Sequence, residues 1–213
     1  MDLSSPISSI IPSAYGPVLA ALARAGVPLS GRQVAGLVEG QVSRSRVNSV
    51  LAELSTSGIV LREAHPPSVL YEFNREHVAA PFVEALADLR QLLLVRIRAE
   101  VESWDQPAVA VWMFGSAARG DGSAESDIDI LVVRPDSRDE DDQVWCSQLA
   151  QLADEVRAWS GNACEVLELS RAEVAESVRS GQSLATDLRR DAVPLGGALP
   201  SSILRQHRAA AKS

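Results

Sequence analysis

The chain has 213 residues, 46% of them hydrophobic and 23% charged, with a formal net charge of −8. That length allows two small domains with their own cores, and the composition excludes collagen-like, disulfide-scaffold and strongly disordered classes. Residues 1–80 hold six Arg and six Asp/Glu, while residues 81–213 hold fourteen Arg/Lys and twenty-two Asp/Glu. The second half is therefore a poor nucleic-acid binder by charge alone, whereas the neutral first half can carry a local basic face.

No apolar run approaches the roughly 18–20 residues of a membrane span. The start, MDLSSPISSIIPSAYG, lacks the basic n-region of a secretory signal. Cys146 and Cys164 are too few for a disulfide framework, and neither clusters with His65, His77 or His207 at zinc-like spacing. The expected setting is cytoplasmic, with no membrane partner.

Residues 1–14, with Pro6, Pro12 and many serines, read as a flexible N-terminus. AYGPVLAALARAG follows as a short helix, with Pro17 tolerated in its first turn and Gly26 beyond its end. Ser30 is an expected N-cap for GRQVAGLV. Ser43 is an expected cap for RSRVNSVLAELSTSG, where Val47, Val50, Leu51 and Leu54 form one apolar stripe. IVLREAHPPSVLYEF then reads as strand, Pro-Pro turn, strand.

Three helices and a hairpin over residues 15–78 resemble the winged helix-turn-helix family. The resemblance implies that the third helix enters the major groove of double-stranded DNA and contacts it through its first turns. Those turns carry Ser43, Arg44, Arg46 and Asn48. Arg can pair bidentately with guanine, and Ser or Asn can hold phosphate or adenine. A surface for dimerisation or protein contacts is the alternative for the same residues.

Residues 79–104 read as one long connecting helix, with Val83, Leu86, Leu89, Leu93, Ile97 and Val101 at helical spacing. It serves equally as a connector, a homodimer seam or a core-facing helix. Residues 105–197 change pattern. VAVWMF, IDILVV and ACEVLEL are strands, with a helix DEDDQVWCSQLAQLADEVRAWSG between the last two. RAEVAESVRSG is a further helix, and Leu184 to Leu195 a helix and short strand. Such interleaving indicates a mixed α/β or α+β domain. Residues 198–213 read as a C-terminal tail.

Chemistry concentrates in FGSAARGDGSAESDIDILVV, residues 114–133. Asp127 and Asp129 share one face of a strand, with Ile128, Ile130 and Val132 on the core face. Two such carboxylates repel unless a cation lies between them, and a hard divalent ion such as Mg²⁺ takes carboxylate, phosphate and water oxygens. Upstream, VAVWMF delivers the chain to Gly115-Ser116 and a helical turn, where free N–H groups and a hydroxyl suit a phosphate. A P-loop is excluded because Asp121 stands where Lys is required. An EF-hand is excluded because DIDIL lacks the Gly and ligand spacing. The acidic run at 139–142 fits a helix start.

Gly115-Ser116, ten intervening residues, then Asp127-Ile128-Asp129 resembles the signature of the DNA polymerase beta-like nucleotidyltransferase superfamily. ARG at 118–120 and SDID at 126–129 resemble its minimal-nucleotidyltransferase branch. The resemblance implies a small mixed sheet flanked by helices, so the fold expected overall is α+β, a winged helix domain followed by a nucleotidyltransferase domain. It also implies a nucleoside triphosphate substrate, taken as ATP, and two Mg²⁺ ions held by Asp127, Asp129 and a third carboxylate on a later strand. Glu165 is the favoured third residue. Glu168 is the competitor, but an odd separation in a strand puts the two on opposite faces. By the same resemblance Gly115, Ser116 and Arg119 steady the triphosphate, although Arg119 equally suits a surface helix. The acceptor would be a hydroxyl of a protein, RNA or small molecule. Members of this branch often act as antitoxins or defence components. The alternative function is a DNA-binding regulator whose second domain only binds nucleotide or a partner protein.

Overall fold

The computed structural model describes residues 1–180 and 183–204. It divides into two compact units: Asp2 with Ser4–Leu92, and Met1 and Leu3 with the chain from Leu93 onward.

In the unit ending at Leu92, α1 (Tyr15–Ala25) precedes a two-residue strand β1 (Leu29–Ser30) and helix α2 (Gly31–Leu37). Ser30 starts α2 with a reciprocal capping box. Its hydroxyl accepts the Gln33 N–H at 3.3 Å, and its own N–H donates to Gln33 Oε1 at 2.8 Å, which satisfies two otherwise unpaired helix-start donors. Helix α3 (Arg44–Thr56) buries Val47, Val50, Leu51 and Leu54, the expected stripe. Ser43 occupies its N-cap position with extended backbone, but its side chain makes no capping bond. Strands β2 (Val60–His65) and β3 (Ser68–Phe73) form an antiparallel hairpin, and β1 adds to β3 to give the order β1-β3-β2. Helix α4 (Ala80–Ala87) packs Ala80, Val83 and Ala87 into the same core.

The N-terminus departs from the flexible segment expected over residues 1–14. Pro6–Ser9 forms a 3₁₀ turn that buries Ile7 in this unit's core. Leu3, grouped with the other unit, is also buried, and its N–H donates to the Gly122 carbonyl at 2.9 Å. Burial of these two apolar side chains outweighs the loose character of the Ser/Pro composition around them.

The single helix expected over 79–104 is two, α4 and α5 (Leu89–Glu102), interrupted at Asp88. The apolar period continues across the break, but its halves serve different cores. Val83 and Ala87 lie in the first unit's cluster, and Leu93, Leu94, Ile97 and Val101 in the second's. Arg24 reinforces the stop, since its guanidinium donates to the Ala87 carbonyl at the end of α4 and lies 3.8 Å from the Asp88 carboxylate.

The second unit is built on a four-stranded sheet in the order β6-β5-β4-β7. Strand β4 (Ala110–Phe114) leads into the short helix α6 (Gly115–Arg119), and β5 (Ile128–Arg134) runs antiparallel to β4. The long α7 (Gln143–Ser160) then crosses over to β6 (Cys164–Ser170), which lies parallel to β5. Asp142 caps α7 by accepting the Val144 and Trp145 N–H groups, each at 3.0 Å. Helices α8 (Arg171–Arg179) and α9 (Ser183–Asp191) precede the edge strand β7 (Val193–Gly197), antiparallel to β4. The class is therefore mixed α+β, a small mixed sheet flanked by helices, as the sequence implied.

Both faces of the sheet are covered. Val111, Met113, Ile128, Ile130 and Val132 pack with residues of α5 and α7, whereas Ala110, Trp112, Leu131 and Val133 pack with Val174 and Leu188 of α8 and α9. The second face of β5, which carries Asp129, is thus apolar beyond it. Residues 200–204, expected to belong to a tail from 198, are helical and bury Ile203 and Leu204 on that face. The remainder of that tail, residues 205–213, lies outside the described residues. Among the described residues no helix is long and apolar enough to cross a membrane.

Candidate active site

Sheet register assembles the acidic residues. Asp129 is the antiparallel partner of Phe114, the last residue of β4, and the parallel partner of Glu165 on β6. Side chains on one rung share a face, so Asp129 and Glu165 lie side by side at the end of the sheet where β4 turns into Gly115. Asp127 stands two residues earlier on the approach to β5, exposed to solvent.

Gly115 is the contact point. Its φ is +68°, and a Cβ placed on it would fall 2.5 Å from Asp129 Oδ2, so only glycine lets the turn close over the carboxylate. Asp129 is half-buried, and burial raises its pKa above the ordinary carboxylate value, with Glu165 and then Asp127 adding like-charge repulsion. Among the described residues, no cationic side chain forms an ion pair with Asp127, Asp129 or Glu165. The neighbouring Cys164 thiol is pushed up to about 12, by burial first and then by Asp129 and Glu165. It stays protonated at neutral pH and is no nucleophile.

The competitor Glu168 is occupied elsewhere. It pairs with Val132 across the ladder, on the opposite face from Glu165, and its carboxylate is bound to the Arg134 guanidinium. Ser116 lies in the first turn of α6, and its carbonyl accepts the Gly120 and Asp121 N–H groups at 3.0 and 3.2 Å. Its hydroxyl has no protein partner among the described residues. Arg119 is held by two carboxylates, Nε to Asp121 and Nη1 to Asp191, each at 2.9 Å. Its pKa is raised by those hydrogen bonds, Asp121's first. The Asp191 carboxyl is drawn down to about 2 by Arg190 first and Arg119 after it.

Asn162 carries no sequence signal of a site role, because Gly161-Asn162 reads as an ordinary helix-end turn. It is 2% exposed. Its side-chain amide donates to the carbonyl of Ser126 at 2.9 Å and to those of Ser123 and Ala124 at 3.4 Å each. Its Oδ1 accepts the Met1 amino group at 2.7 Å.

In the first unit, the four residues at the start of α3 divide. Arg44 is exposed. Ser43 Oγ lies 3.4 Å from Ser45 Oγ. Arg46 turns toward α1, 3.5 Å from Glu53 and with its guanidinium 5.5 Å from the centre of the Tyr15 ring. Asn48 leans on α2, its Oδ1 2.8 Å from where a Cβ on Gly31 would lie.

Residues 94–178 match the family model of the nucleotidyltransferase domain. Over that stretch, less than half of the chain, the sequence is similar to a nucleotidyltransferase domain. No curated protein matches the chain. Among solved structures, it is similar to "Crystal structure of the toxin-antitoxin with AMP-PNP", with 15% identity over 56% of this chain and 86% of that one, at a TM-score of 0.37. A mutant of the toxin-antitoxin MntA-HpeT matches with 13% identity over the same shares of the two chains, also at 0.37.

The donor set fits a hard divalent cation in kind: three carboxylates, two of them on one rung, with no cationic side chain paired to them among the described residues. Among the described residues no group of three or more His, Cys, Asp or Glu is gathered closely enough to hold an ion already.

Proposed function

We propose that the nucleotidyltransferase domain moves a nucleoside monophosphate from a triphosphate, ATP in the first instance, onto a hydroxyl acceptor. The observation that carries this reading is the unneutralised Asp129, set under Gly115 and beside Glu165. Like charges left without a cation in a half-buried site favour a positively charged ligand. Asp127, Asp129 and Glu165 would hold Mg²⁺, two ions by the family resemblance. When bound, Mg²⁺ offsets phosphate charge and lowers the pKa of a coordinated hydroxyl.

The chain's own groups supply the rest. The Ser116 hydroxyl binds a phosphate oxygen, which the absent Gly115 side chain allows close to the backbone. Glu165, exposed beside Asp129, takes the proton of the acceptor hydroxyl. As that oxygen bonds to the α-phosphorus, the bond to the pyrophosphate oxygen breaks and pyrophosphate leaves. Arg119 would neutralise phosphate charge only by giving up Asp121 or Asp191.

Incubation with each α-labelled triphosphate, Mg²⁺ and cell lysate tests the proposal. One nucleotide should label a protein, RNA or small acceptor. Absence of label from all four overturns it in favour of the alternative, a regulator that binds nucleotide without transfer.

The first unit supports a DNA-binding role for residues 15–78 through the order helix, two helices and hairpin, with Arg44 exposed at the start of α3. Arg46, engaged by Glu53 and Tyr15, is the weaker candidate. Arg44→Ala should weaken duplex binding at low salt and reduce the slope of log K against log salt by about one. Binding unchanged in a gel shift would remove Arg44 from the interface.

A further inference from the structure

We propose that Asn162 is a positioning residue for the carboxylate site, holding the segment that carries Asp127 against the strand that carries Glu165. The inference deepens the nucleotidyl-transfer reading and rests on it for its catalytic part alone.

Asp127 is the only one of the three carboxylates outside a strand, so no ladder fixes its backbone. The loop before it has local braces: the Ser123 N–H donates to Ser126 Oγ at 2.9 Å, and the Glu125 N–H to Ser123 Oγ at 3.2 Å. These bonds shape the loop without tying it to β6. Asn162 supplies that tie. The Ser126 carbonyl it binds belongs to the peptide linking Ser126 to Asp127. One step further, the Ile128 N–H donates to the Ala163 carbonyl at 2.8 Å and opens the parallel ladder. Two successive backbone groups around Asp127 are therefore held by Asn162 and Ala163, immediately before the Cys164-Glu165 step.

Residue type matters. A neutral amide offers two N–H donors and one acceptor, and here both kinds are used. An aspartate would keep the acceptor, lose the donors toward three carbonyls and place a fourth carboxylate near an already acidic site. The backbone N–H of Asn162 is itself anchored by Ser160 Oγ at 3.1 Å, and that hydroxyl donates to Val156 at 2.7 Å. Ser160 thus offers a buried control that supports the turn without touching the loop.

The test compares Asn162→Ala and Ser160→Ala in the full chain by amide hydrogen exchange and by transfer kinetics. In Asn162→Ala, exchange over residues 123–128 should rise at least about tenfold, and kcat should fall about 10–100-fold, as for loss of an outer partner of a ligand. KM for the triphosphate should change little, because Gly115 and Ser116 lie on another element. Ser160→Ala should lower Tm without loosening 123–128 selectively. Selective loosening in Asn162→Ala supports the tether even if the wild type transfers nothing, an outcome that would instead overturn the proposed function. Unchanged exchange over 123–128, or equal loosening in both variants, overturns the tether. A loosened loop with kcat kept at the wild-type value overturns its part in placing Asp127.

Discussion

Asp129→Ala is expected to lower nucleotidyl transfer by about 10²–10⁴-fold while the domain stays folded. The magnitude follows from losing a carboxylate whose share in charge stabilisation is worth several kcal/mol, each ~1.4 kcal/mol being a factor of ten. The retained fold follows from the electrostatics. Ionised Asp129 is half-buried, without a counter-charge among the described residues, and Glu165 and Asp127 repel it. The sign can be worked out. The folded pKa lies above the unfolded value, so the native state binds more protons between the two, and stability falls as pH rises through that window. At neutral pH in chelator, Asp129→Asn should therefore melt no lower than the wild type, and its Tm should depend less on pH just above the ordinary carboxylate range. Scanning calorimetry in chelator across pH 4–7, paired with the labelled-triphosphate assay, checks both parts. A large loss of Tm together with full transfer would contradict both.

Gly115→Ala should be damaging in a different way, losing both stability and activity. An alanine at φ +68° costs on the order of 1 kcal/mol relative to glycine. Its methyl would also arrive 2.5 Å from Asp129 Oδ2, inside any tolerable contact, so the carboxylate or the turn must shift. Shifts of about 1 Å in catalytic geometry cost on the order of 10²-fold. Denaturant unfolding gives the first effect and kcat the second. If the site has room to absorb the methyl, kcat would remain within about threefold of wild type, and the close approach of turn and carboxylate would carry no catalytic consequence. Pairing the substitution with Asp129→Ala separates the causes. The double variant should recover part of the lost stability, because the clash partner is gone, while transfer stays low.

Much of this site is legible in the sequence because it depends on parity and on short spacing. Gly115-Ser116 lies at the end of an apolar run. Asp127 and Asp129 alternate with Ile128 and Ile130, and odd separation alone sets Glu165 and Glu168 on opposite faces. The period-2 rule needs no knowledge of the partner strands. What eluded the sequence depends on contacts between distant residues. The interruption at Asp88 is invisible in the continuous stripe from Val83 to Val101, since nothing local says that its two halves enter different cores. The apolar second face of β5 is foreshadowed by Leu131 and Val133, yet only α8, α9 and residues 200–204 make it buried. Asn162 matters through the carbonyls of Ser123, Ala124 and Ser126, more than thirty-five residues away, and backbone carbonyls leave no trace in residue identity. Arg119 suits a phosphate ligand by the family resemblance and a surface helix residue equally, and its ion pair with Asp191 emerges only once α9 brings that residue back.

The paired strands β5 and β6 have opposite charge arrangements at their two ends. Arg134 and Glu168 neutralise each other at one end, while Asp129 and Glu165 confront each other at the other. Selection for heat resistance alone, without selection for activity, would leave the first end untouched and favour a neutral side chain at 129. The hardiest descendants of this chain would be the inert ones, so a thermostability screen run without an activity filter would erode the acidic end first.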